Sequence, residues 1–116
     1  MKTLFISGTD TGVGKTLVSG ILCRKLLEDG HRVTYYKPVQ TGAEERDGKL
    51  ISVDTEFVKS VCSEKLQVVT PKMFKLPASP HLASQVEDTP VDIEEIIKTA
   101  VSVTDTDYLI VEGAGG

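Results

Sequence analysis

Apolar residues fall along this chain in two rhythms, short unbroken runs and recurrences every third or fourth position, and the two alternate from end to end. Leu4-Phe5-Ile6 is a short run closed by Ser7-Gly8, the pattern of a buried strand. Over residues 15–29, Leu17, Val18, Ile21, Leu22, Leu26 and Leu27 recur at helical spacing, and Gly30 supplies a stop. Residues 32–37, with Val33, Tyr35 and Tyr36, predict a second strand ended by Pro38, which has no N–H for a ladder. The polar stretch 41–49 predicts a loop. Phe57, Val58 and Val61 predict a helix over about 54–62, and Pro71, Pro77 and Pro80 punctuate an extended region over about 65–80. Residues 81–86 predict a short helix. The clearest periodicity is Ile93, Ile96, Ile97, Ala100 and Val101, a helix over 92–103 with Asp92 and Glu95 placed as a capping box. Tyr108-Leu109-Ile110-Val111 then forms a strand that runs into Glu112-Gly113-Ala114-Gly115-Gly116.

Strands that alternate with helices imply parallel pairing through right-handed crossovers. The expected class is therefore α/β, a parallel sheet with helices on both faces. Three main strands are few for such a sheet, and a strand entering a glycine turn normally leads into a further element. We expect residues 1–116 to be the N-terminal part of one longer α/β domain whose C-terminal part is missing from this chain.

Composition narrows the functional classes. A net charge of −4 argues against broad nucleic-acid binding, which needs a basic face. The two cysteines, Cys23 and Cys62, form no C-x-x-C pair and are expected as buried free thiols in a reducing cytoplasm. No stretch approaches the roughly 18 apolar residues of a membrane span, and Met1 to Ile6 is too short for a signal-peptide core. We expect a cytoplasmic protein.

The sharpest chemical signal is Gly8-Thr9-Asp10-Thr11-Gly12-Val13-Gly14-Lys15-Thr16, a glycine loop between a strand and a helix. Glycines let successive backbone N–H groups face phosphate oxygens, and the helix N-terminus adds partial positive charge. Lys15 can reach β and γ phosphates, and the Thr16 hydroxyl can hold Mg²⁺. Five residues separate Gly8 from Gly14, one more than the common phosphate-loop pattern. Glu112 stands at the carboxyl end of its strand, where open α/β sheets place ligands; it either binds Mg²⁺ or is solvated. Lys37 also ends a strand, either to neutralise a transferring phosphoryl group or as a solvated ammonium. Asp54 starts a helix, as a cap or as a metal ligand. Thr41 either contacts substrate or stabilises a turn. His31 is expected to be exposed between helix and strand, and neither it nor His81 has partners spaced for catalysis.

In these ordered motifs the chain resembles the dethiobiotin synthetase family, ATP-dependent ligases of P-loop NTPase-like fold that close a ureido ring in biotin synthesis. The resemblance runs over the whole chain: the phosphate loop, Tyr36-Lys37-Pro38-Val39 with Thr41-Gly42, Asp54, Ser79-Pro80-His81, and Val111-Glu112-Gly113-Ala114-Gly115-Gly116. The lengthened loop is the form this family uses. Gly12 stands where some members carry an acid, and Thr41 where some carry serine. The resemblance implies 7,8-diaminononanoate, CO2 or bicarbonate and ATP as substrates, with Mg²⁺. It implies Lys15 and Lys37 as catalytic cations and Thr16, Asp54 and Glu112 as metal ligands. Nucleotide contacts would come from Gly12, Val13, Gly14, Lys15, Thr16 and Leu17, with Asp54, Glu112, Gly113, Ala114 and Gly115. Thr11, Lys37 and Thr41 would face the diamine. A homodimer is implied, with no nucleic acid and no membrane partner.

Three other readings share the loop. A septum- or chromosome-positioning ATPase would carry a lysine early in the loop, where this chain has Asp10. A cobyrinic acid synthetase type ligase would need a glutaminase domain downstream. A module without turnover has no need of Lys37, Asp54 and Glu112 together.

Overall fold

A computed structural model describes residues 1–7, 13–77, 80–88 and 91–113, Val13 by its backbone alone. The elements are β1 (Lys2–Ile6), α1 (Val13–Glu28), β2 (Val33–Tyr36), β3 (Val39–Gln40), β4 (Glu44–Arg46), β5 (Lys49–Ile51), α2 (Val53–Val61), β6 (Gln67–Val69), β7 (Lys72–Met73), α3 (Pro80–Val86), α4 (Ile93–Ser102) and β8 (Tyr108–Glu112). The main sheet is parallel with strand order β1-β8-β2-β6. β8 is central, with Phe5 and Tyr36 both paired to Val111.

The period of a strand divides its residues between two faces. On one face Val33, Tyr35 and Ile110 pack with Cys23 of α1 and Val58 of α2. On the other, Tyr36, Leu109 and Val111 pack against Ile96 and Ala100 of α4. Helices therefore cover both faces, as the alternation predicts. Lys37 and Glu112 each follow a residue of the first face by two positions, so both emerge on the side of α1.

Several expectations are corrected. The 4–6 run is a strand, but not a buried one: β1 is an edge strand and Phe5 is 66% exposed. The 41–49 loop is instead the start of an antiparallel hairpin, β4 with β5. Its turn is Asp47-Gly48, both at positive φ (52° and 77°), the geometry that Asp-Gly adopts in two-residue hairpins. The extended region over 65–80 contributes a fourth strand, β6, to the main sheet. Along α1 the buried residues are Thr16, Ser19, Gly20 and Cys23, while Leu17, Val18 and Ile21 are exposed. A Cβ on Gly20 would meet a Val61 methyl at 2.9 Å, so this glycine lets α1 and α2 close on each other.

Gly30, at φ +89°, ends α1 as predicted. Asp92 caps α4 by accepting the Glu94 N–H. Cys23 is buried as expected, but Cys62, the C-cap of α2, is only half-buried; both thiols are free. His31 is half-buried rather than exposed, edge-on to Tyr108 with centroids 4.9 Å apart. Among the described residues no helix is long and apolar enough to cross a membrane.

Candidate functional site

A carboxylate lies in the core where an apolar residue would ordinarily sit. Glu112, at the end of β8, is 1% exposed, and four side chains saturate its oxygens. Oε2 accepts from Thr16 Oγ1 at 3.0 Å and Lys37 Nζ at 2.9 Å. Oε1 accepts from Ser19 Oγ at 2.8 Å and Tyr35 OH at 3.1 Å. A buried anion is tolerated only when paired and fully hydrogen-bonded. This requirement explains the polar inner face of α1: Thr16 and Ser19 lie one turn apart beneath the strand end, where leucines would leave the carboxylate unmet.

Lys37 is neither solvated nor directed at open space. Its ammonium, on a residue 3% exposed, lies 2.9 Å from both Glu112 Oε2 and Asp54 Oδ2, and 3.4 Å from the Gly113 carbonyl. The second site acid comes from α2. Ser52 is the N-cap of that helix, its Oγ accepting the Thr55 N–H. Asp54 is thus not the cap, and its carboxylate is left to meet Lys37. Lys15 Nζ donates to the same Gly113 carbonyl at 3.4 Å. Burial, and after it the charge of Glu112, pushes the Tyr35 hydroxyl well above the ordinary tyrosine range, so it remains a donor.

The structure therefore gathers Lys15, Thr16, Lys37, Asp54, Glu112 and Gly113 at the carboxyl ends of β2 and β8. Thr41 stands apart. Its carbonyl accepts from Gln40 Nε2, and among the described residues no hydrogen bond joins its hydroxyl to Lys37, Asp54 or Glu112. Thr11, Gly12, Ala114 and Gly115 lie outside the described residues, as do Gly8, Thr9, Asp10, Ser79 and Gly116. Gly14 lies in the first turn of α1, and a Cβ there would meet nothing within 4 Å, so no packing contact among the described residues demands this glycine. Leu17 is 47% exposed and lines a cleft of about 460 Å³ with Thr16, Val53, Asp54 and Phe57.

Sequence reasoning missed Ser19 and Tyr35. Ser19 reads as a helix residue, and Tyr35 as one more apolar strand position. Their spacings, two residues before Lys37 and one turn after Thr16, gain meaning only once the sheet places Glu112 beside them. Among the described residues no three His, Cys, Asp or Glu side chains converge. Two carboxylates and a hydroxyl are oxygen donors of the number that suits Mg²⁺, which usually keeps waters and phosphates in its remaining positions.

A family profile described as an AAA domain matches residues 2–116. The chain is 41% identical to the ATP-dependent dethiobiotin synthetase BioD of Caldicellulosiruptor saccharolyticus, covering 100% of this chain and 49% of that one. It is 39% identical to the protein of the same name from Clostridium acetobutylicum, over 100% of this chain and 50% of that one. With that of Methanocaldococcus jannaschii it shares 42% identity over 97% and 52%. The chain spans about half the length of the curated relatives it matches.

Proposed function

The chain belongs to the AAA domain family, and on that footing we propose that it supplies the phosphate- and cation-binding part of an ATP-dependent dethiobiotin synthetase. The observation that carries the reading is the convergence of Lys37, Asp54 and Glu112 beside Thr16. One lysine between two acids at a phosphate-loop helix is chemistry for handling phosphoryl charge, not for covalent catalysis.

In this reading the residues from Gly12 to Leu17, with Asp54 and Gly113 to Gly115, hold ATP. Thr16, Asp54 and Glu112 would hold Mg²⁺. Magnesium, when bound, screens the phosphates and neutralises charge on the transferring group. One amine of 7,8-diaminononanoate combines with CO2, losing a proton, to give a carbamate. A carbamate oxygen attacks the γ phosphorus, the bond to the bridging oxygen breaks, and ADP leaves. The second amine attacks the carbonyl carbon of the resulting mixed anhydride, loses a proton, expels phosphate and closes the ring. Lys15 and Lys37 stabilise the negative charge at both displacements, and Thr11 and Thr41 orient the diamine. The apolar wall formed by Leu17, Val53 and Phe57 beside Thr16 and Asp54 suits the hydrocarbon chain of that substrate. A cytoplasmic homodimer completes the proposal.

The test is phosphate release from MgATP and bicarbonate, with and without the diamine. The protein is residues 1–116 joined to the remaining half of such a relative. Diamine-dependent release with a cyclic urea product supports the reading. Release indifferent to the diamine, from a folded and ATP-binding protein, overturns the ligase and leaves a phosphate-loop ATPase.

A further inference from the structure

The two oxygens of Glu112 are held by partners of different kinds. Oε2 faces Thr16 and Lys37, a hydroxyl and an ammonium that both belong to the site. Oε1 faces Ser19 and Tyr35, two neutral hydroxyls on residues that are 0% exposed. A carboxylate on a side chain with free torsions would present either oxygen, or neither, to a cation. Here the two hydroxyls occupy Oε1 from the core side, so only Oε2 is turned toward Thr16.

The two donors are not equivalent. Ser19 Oγ lies 2.8 Å from Glu112 Oε1 but also 2.9 Å from the Lys15 carbonyl, so its one proton is shared between two acceptors. Among the described residues the Tyr35 hydroxyl has Glu112 alone. Its ring is fixed in the cluster of Cys23, Val33, Val58 and Ile110, so the hydroxyl is delivered by a rigid lever. We propose that Tyr35, seconded by Ser19, is a positioning residue that fixes the Glu112 carboxylate and reserves Oε2 for a divalent cation. The inference rests on the cation site proposed above.

Tyr36 provides an internal control. It follows Tyr35 on the same strand, points to the opposite face, and donates its hydroxyl to the Ile96 carbonyl at 2.9 Å. Tyr35→Phe and Tyr36→Phe each delete one hydroxyl and keep the ring. The experiment is titration of Mn²⁺ in the presence of ADP, followed by the loss of its free-ion electron paramagnetic resonance signal, with thermal midpoints alongside. Tyr35→Phe is expected to weaken Mn²⁺ binding on the order of 10-fold, as loss of a partner that orients a metal ligand does. Tyr36→Phe is expected to shift the thermal midpoint while leaving Mn²⁺ affinity unchanged. Ser19→Ala should weaken Mn²⁺ in the same direction, and it decides the question if Tyr35→Phe fails to fold. Equal Mn²⁺ affinity in the parent, Tyr35→Phe and Ser19→Ala overturns the positioning role while the cation site stands. A parent chain that binds no Mn²⁺ overturns both.

Discussion

At the scale of the residue, the controlling fact is an ion triad withdrawn from water. Lys37 and Glu112 are almost fully buried, whereas the Asp54 side chain is 28% exposed. Removing one partner from a buried pair leaves the other uncompensated. Lys37→Met should therefore cost about 3 kcal/mol, seen as a lower urea midpoint. Asp54→Asn should cost less, about 1 kcal/mol, because solvent reaches that carboxylate. Equal losses in the two variants would mean that burial does not set the energetics here. A second residue-scale consequence concerns pH. Burial, more than the nearby Cys62 and Glu112, pushes the Cys23 thiol from an ordinary value of 9.0 up to about 12. The unfolded chain then loses this proton before the folded one does. The stability tied to Cys23 is complete below about pH 9 and drains away as pH climbs toward 12. Tyr35 is raised for the same reason and adds to the loss above pH 10. Urea midpoints of Cys23→Ala at pH 8, 9 and 10 should fall less steeply than those of the parent chain. Parallel slopes would remove Cys23 from the account.

At the scale of the element, Gly20 tests how closely α1 and α2 are packed. Alanine would gain up to about 1 kcal/mol of helix propensity. Its methyl would meet the stiff, β-branched Val61 at 2.9 Å, and overpacking costs about 1–3 kcal/mol. Net destabilisation is expected for Gly20→Ala, and a raised thermal midpoint would show that α2 moves aside freely. The same helix shows where the sequence was legible and where it was not. Its limits could be read from periodicity and Gly30, as could those of α4 from its stripe and Asp92. Its orientation was legible only in part: Leu22, Leu26 and Leu27 pack on the core, but Leu17, Val18 and Ile21 face outward while Thr16 and Ser19 turn inward to meet Glu112. A rule that sends apolar residues inside fails where a buried anion demands donors. The β4–β5 hairpin was hidden for a different reason. Its strands, Glu44–Arg46 and Lys49–Ile51, are exposed and charged, so only Asp47-Gly48 marks them. In the site, the residues with ionic charge stood out at strand and helix ends. The hydroxyls of Ser19 and Tyr35 did not, since nothing local distinguishes them before the sheet brings Glu112 alongside.

At the scale of the molecule, one flank of the sheet is open and apolar. β1 lies at the edge of the strand order, with Phe5 66% exposed, and the outer side of α1 shows Val18 and Ile21 at 51% and 60%. Soluble monomers seldom expose large apolar side chains together with an open strand edge, which is a template for further pairing. The curated relatives are about twice as long, so they have material with which to cover an equivalent surface. The 116-residue chain by itself should accordingly associate through this flank. We expect sedimentation above the monomer mass, reversed by the double substitution Val18→Glu and Ile21→Glu. Because both side chains stand largely in water within one chain, the substitutions should leave the unfolding midpoint of the dissociated protein within about 0.5 kcal/mol of the parent. Monomeric parent protein would show that an apolar flank of this size is tolerated. A large loss of stability together with dissociation would carry a different meaning. The energy holding the four-stranded sheet would then come in good part from what covers α1 and β1, and the buried ion triad would be held in place by contacts made across that flank.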